Sequence, residues 1–100
     1  MDKQAIFTLN VPVALKDEVV DKLIGLSYIT GFNLKRINGY SKEHSQYDIL
    51  EQVVGYRACF QFEVLIPLID VETLKISLKP ICQPAKLKYW LTPILDSGHF

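Results

Sequence analysis

The chain has 100 residues, 49% of them hydrophobic and 22% charged, with eleven basic and eleven acidic side chains giving a formal net charge of zero. This length and balance describe one globular domain with a single core, and exclude a disordered or fibrous chain. Zero net charge also removes the electrostatic footprint expected of a nucleic-acid or anionic-membrane binder. No apolar run approaches the ~20 residues of a bilayer span. Asp2, Lys3, Gln4 and Asn10 interrupt any signal-peptide core near the start, so the default expectation is a cytoplasmic protein. Cys59 and Cys82 form no disulfide framework and are expected as thiols.

The first predicted element is a strand over Ala5 to Val11, where Ala5, Phe7, Leu9 and Val11 share one parity against Thr8 and Asn10. Pro12 cannot donate to a ladder and suits the entry to a helix. From Val13 to Leu26 the apolar period lengthens, with Leu15, Val19, Leu23 and Leu26 on one stripe flanked by Val20 and Ile24. Asp17 and Glu18 fall early in this segment, where they complement the helix dipole. Gly25 marks its end, and Gly31 is expected to close the unit in a left-handed turn.

A second strand is expected from Phe32 to Tyr40, although Arg36 and Asn38 share the parity of Phe32, Leu34 and Tyr40. The third, Arg57 to Ile66, alternates Ala58, Phe60, Phe62, Val64 and Ile66 against Cys59, Gln61 and Glu63. Asp70 is the expected N-cap of a second helix with the stripe Val71, Leu74, Leu78 and Ile81, closed by Pro80 and Pro84. Leu87 to Ile94 reads as the last strand, and Leu95 to Phe100 as a tail. Two βαβ-type halves in this order predict an α+β fold, the ferredoxin-like βαββαβ sandwich, with a four-stranded antiparallel sheet carrying two helices on one face. The whole chain, 1–100, is one such domain.

That fold leaves one face of the sheet without a helix. Ile6 and Leu65 share this face with Thr8, Gln61 and Glu63, and Trp90 lies on the parity opposite Leu87, Tyr89 and Leu91. An apolar patch of this kind marks a contact, so Ile6, Leu65 and Trp90 are the candidate oligomer interface. RNA-recognition modules share the topology and display aromatics on the open face. Placing Phe60 and Phe62 outward here would bury Gln61 and Glu63 beneath the helices, and an unpaired buried carboxylate costs several kcal/mol. RNA binding is therefore not expected.

The connection between the second and third strands carries its own pattern. Asp48 and Glu51 have capping-box spacing, and Ile49, Leu50, Val53 and Val54 make one face of a short helix. This pattern fits either a contact with a partner or neighbouring subunit, or a loop folded onto its own protomer. Glu51 and Gln52 would then line a cleft, with Arg57, Tyr40 and His44 nearby in sequence, and these five are the candidate ligand- or partner-binding residues. His44, Cys82 and His99 are the candidate metal ligands, but no C-x-x-C or H-x-x-x-H spacing preforms a chelate, so a divalent metal would need copies brought together by symmetry. No nucleophile–base–orienter set is apparent, and the chain is not expected to be an enzyme.

Gly31-Phe32, Gly39, Glu51-Gln52-Val53-x-Gly55, Tyr89-Trp90-x-x-Pro93 and Gly98 together resemble a small proteobacterial PII-like family of unknown function, over about Phe7 to Gly98. The resemblance implies a ferredoxin-like protomer assembled as a homotrimer, like the PII nitrogen-regulatory and divalent-cation-tolerance proteins. It also implies a regulatory or sensor role linked to heavy-metal efflux. A small ligand or a protein partner, such as a membrane transporter, would engage intersubunit clefts and the 41–55 loop. The alternatives are a metal-binding protein of the divalent-cation-tolerance type and a small oligomeric enzyme. Two departures stand out. Pro80-Ile81-Cys82-Gln83-Pro84-Ala85 replaces the glycine- and lysine-rich phosphate loop of PII proteins, so PII-type nucleotide binding is not expected. Tyr40-Ser41 stands where the family pattern often has His-Gly, which weakens a metal site at that point.

Overall fold

The computed structural model describes residues 3–40 and 57–100. Its elements run β1 (Gln4–Pro12), a 3-10 turn (Val13–Leu15), α1 (Lys16–Ile24), β2 (Phe32–Gly39), β3 (Arg57–Pro67), a second 3-10 turn (Leu68–Asp70), α2 (Val71–Cys82) and β4 (Tyr89–Ile94). The four strands form one sheet in the order β2-β3-β1-β4, and every neighbouring pair is antiparallel. This is the ferredoxin-like α+β arrangement expected from the alternation of periods.

The core follows from parity. Phe7, Leu9 and Val11 of β1 and Phe62, Val64 and Ile66 of β3 point to one face, where Val19 and Leu23 of α1 and Val71, Leu74 and Leu78 of α2 close over them. Two helices suffice to roof the two central strands, and the edge strands lie mostly outside that roof, apart from Phe32 of β2, which packs on Phe62. Edge position also explains the mixed parity of β2. Arg36 pairs with Phe60 and lies on the helix face, its guanidinium 5.8 Å from the Phe60 ring centroid, while Lys16 at the start of α1 approaches the same ring at 5.4 Å. Both cations cover an aromatic face that the helices leave partly open.

Several local expectations are corrected. Pro80 does not end α2. The helix continues through it to Cys82, because a proline in the last turn forfeits one hydrogen bond while Leu78 and the apolar residues beyond it keep the segment packed. Asp70 makes no side-chain cap; the preceding 3-10 turn holds it in a helical conformation, which is not the extended geometry a cap needs. Gly31 has no left-handed φ, and that conformation belongs to Lys86 at φ 53°. Ile24, expected to flank the stripe of α1, is 71% exposed.

Candidate functional site

The helix-free face of the sheet is graded from apolar to polar along the strands. At one end Thr92, Ile6 and Leu65 stand side by side on β4, β1 and β3, followed by the row Trp90, Thr8 and Glu63. Thr8 is only 4% exposed, while Leu65 and Trp90 keep 40% and 38% of their surface in solvent. Farther along, Gln61 donates its amide N–H to Oδ1 of Asn10 at 3.1 Å, and Lys35 pairs with Glu63 at 3.8 Å. The polar end satisfies its own groups within the sheet. The apolar end presents a Trp, an Ile and a Leu that have no helix over them.

A second surface lies on the opposite side, where α2 stops short of the edge strand. Here a cleft of about 450 Å³ opens between α2 and β4. Phe7, Leu9, Leu78, Leu87 and Tyr89 contribute its apolar lining, and Lys75, Lys79 and Lys86 its cations. Tyr89 stacks on Phe7, with centroids 5.2 Å apart and planes 14° from parallel. Lys75 extends over Tyr89 with its ammonium 5.1 Å from the ring centroid and 3.3 Å from Oε1 of Glu72. The Tyr89 side chain beside the ammonium, then the hydrogen bond to Glu72, hold the Lys75 pKa above the ordinary lysine value.

The floor of this cleft is closed by the end of α2. The N–H of Leu87 donates to the carbonyl of Cys82, and that of Lys86 to the carbonyl of Gln83, both at 3.1 Å. With Lys86 left-handed between them, this is a Schellman ending that carries lysine where glycine is usual. Cys82 is half-buried in the same cleft, and burial pushes its thiol up to about 11, so it is a neutral thiol near pH 7.

The residues singled out in the sequence are distributed as follows. Ile6, Leu65 and Trp90 come together on the helix-free face. Tyr40 is 72% exposed just after β2, and Arg57 opens β3 opposite Gly39. His44, Glu51, Gln52 and the helical pattern within 41–55 lie outside the described residues. Cys82 sits at the end of α2 and His99 in the tail beyond β4. Among the described residues, no three His, Cys, Asp or Glu side chains cluster as a metal site would require. Lys75 and Lys79 lie one turn apart on α2, a spacing apparent in the sequence, whereas Lys86 joins them only through the left-handed turn after the helix.

The fold defined by this sheet order is that of the PII and CutA proteins. Similar solved structures include the periplasmic divalent cation tolerance protein CutA of Archaeoglobus fulgidus (9% identity over 95% of this chain and 87% of that one, TM-score 0.74). A GlnK–ATP complex of Bacillus subtilis is likewise similar (10% identity, 95% and 87% coverage, TM-score 0.68). The chain belongs to the DUF3240 family, proteins of unknown function, whose model matches residues 1–100. A member of that family from Shewanella baltica is 30% identical over 100% of this chain and 99% of its own, with a TM-score of 0.83. No protein of curated function matches the chain by sequence. Among the described residues, no helix is long and apolar enough to cross a membrane.

Proposed function

We propose that the protein is a homotrimeric, PII-like regulatory module that binds a small ligand or a protein partner rather than catalysing a reaction. The observation that carries this reading is the apolar end of the helix-free face. Ile6 and Leu65 are directly paired, Trp90 lies on the adjoining row, and a soluble domain gains by covering such a patch with copies of itself. Likeness of fold to CutA and GlnK supports closure of that face by three-fold assembly, with recesses between subunits near Tyr40 and Arg57. Ligand or partner recognition is assigned to those recesses and to the 41–55 connection, by displacement or ordering of that connection on binding. We assign the module to the cytoplasm, with a heavy-metal efflux transporter as the proposed class of protein partner.

Sedimentation equilibrium tests the assembly. The expected particle has three times the 11.4 kDa mass of one chain. A single-chain mass at micromolar concentration overturns the reading. Deletion of residues 47–53 is expected to abolish capture of the partner transporter while leaving the trimer intact, and unchanged capture would reject the role given to that connection.

A further inference from the structure

The cleft between α2 and β4 takes no part in the reading above, because its lining residues lie on the helix side of the sheet, opposite the Ile6–Leu65–Trp90 patch. Its volume, about 450 Å³, falls in the range of small-molecule sites, roughly 300–1,000 Å³. Its chemistry is two-sided. Phe7, Leu9, Leu78 and Tyr89 offer apolar surface, and three lysines stand around it. Lys75 is already engaged by Glu72 and Tyr89. Lys79 and Lys86 are exposed, and no carboxylate of the described residues pairs with either. Lys86 is held at φ 53°, a conformation that a side-chain-bearing residue adopts at a cost, and this conformation sets its place at the cleft.

We infer that this cleft binds a small amphipathic carboxylate, its apolar body against Phe7, Leu78 and Tyr89 and its anionic head between Lys79 and Lys86. An uncharged apolar compound would satisfy the floor and leave the lysines unanswered. A nucleotide would need a phosphate cradle of backbone N–H groups, whereas the turn here carries Pro84 and has no glycine. Every residue named for the site comes from one protomer, so the titration below reads this cleft separately from the proposed assembly.

The test is a titration of the full ¹⁵N-labelled chain with hexanoate, octanoate, decanoate and, as the uncharged counterpart, 1-octanol. Octanoate is expected to shift the amides of Ile76, Lys79, Cys82, Leu87 and Tyr89 saturably. Each added methylene should tighten binding about fourfold until the cleft is full. The double variant Lys79→Gln/Lys86→Gln should weaken octanoate about tenfold and leave 1-octanol unchanged, which also shows that the cleft is intact. Equal binding of octanoate and 1-octanol, octanoate binding unaffected by the double variant, or no saturable shift at these amides overturns the inference. Co-sedimentation with phosphatidylglycerol vesicles, lost in the same variant and unaccompanied by octanoate binding, would also overturn it and point to a membrane surface.

Discussion

Phe7 and Tyr89 lie stacked 5.2 Å apart, yet one is a core residue with 2% of its surface exposed and the other an edge residue with 42% exposed. The pair joins the packed centre of the sheet to the strand that α2 leaves uncovered. Phe7→Ala removes a buried ring and should cost about 3–5 kcal/mol of stability. Tyr89→Ala removes a half-wetted ring and one stacking partner, and should cost only about 1 kcal/mol. Urea unfolding of the two variants checks this; equal costs would mean that β4 is packed as tightly as β1.

Lys86 occupies a left-handed position in which glycine is favoured. Lys86→Gly is therefore expected to raise stability by about 1 kcal/mol, the strain of a Cβ in this conformation outweighing the backbone freedom that glycine restores to the unfolded chain. The measured quantity is the midpoint of denaturant unfolding, which should rise with no change in slope.

Leu65 faces Ile6 across the two central strands. A charge placed there is tolerated by a monomer and unfavourable at a sealed apolar interface. Leu65→Lys should leave the circular dichroism spectrum intact and lower the sedimenting mass. A variant that retains the parent mass would show that the assembly uses another surface.

Cys82 is held as a thiol by its surroundings. Its pKa rises from an ordinary 9.0 to about 11, so at pH 8 the thiolate is about a hundredfold scarcer than in a free cysteine, and alkylation by iodoacetamide should be slower in proportion. The sign of the stability effect follows from the same shift. The folded chain holds this proton more tightly than the unfolded one, so the stabilisation is complete below pH 9.0 and is lost as the pH climbs towards about 11. Cys82→Ala should flatten that decline in alkaline urea titrations.

The sheet was largely legible because its central strands are buried on one face only, and burial on one face writes itself as alternation. Ala5, Phe7, Leu9 and Val11 show this without interruption, as do Phe62, Val64 and Ile66. Edge strands receive weaker instruction: Arg36 shares a face with Leu34 because α1 does not reach it, and Tyr89 and Leu91 are half-wetted on the face that is elsewhere the core. Helix ends were the least legible. Proline at position 80 is a breaker by local chemistry, but the packing of α2 overrides a single missing hydrogen bond. Of the candidate sites, the patch of Ile6, Leu65 and Trp90 followed from parity alone. The cleft did not, since it exists only where the reach of α2 falls short of β4, a distance that no local pattern encodes.

Pro93 of β4 pairs with Ala5 of β1. Because the Asn10 N–H donates to the Lys88 carbonyl at 3.1 Å, the even-numbered residues of β4 aim their peptide groups at β1, and Tyr89, Leu91 and Pro93 aim theirs away. The outer rim of the sheet thus lacks one amide near its end. Any chain that lengthens the sheet from this side finds donors at Tyr89 and Leu91 and then none. Edge-to-edge extension of the sheet on this side therefore forgoes one ladder hydrogen bond at Pro93.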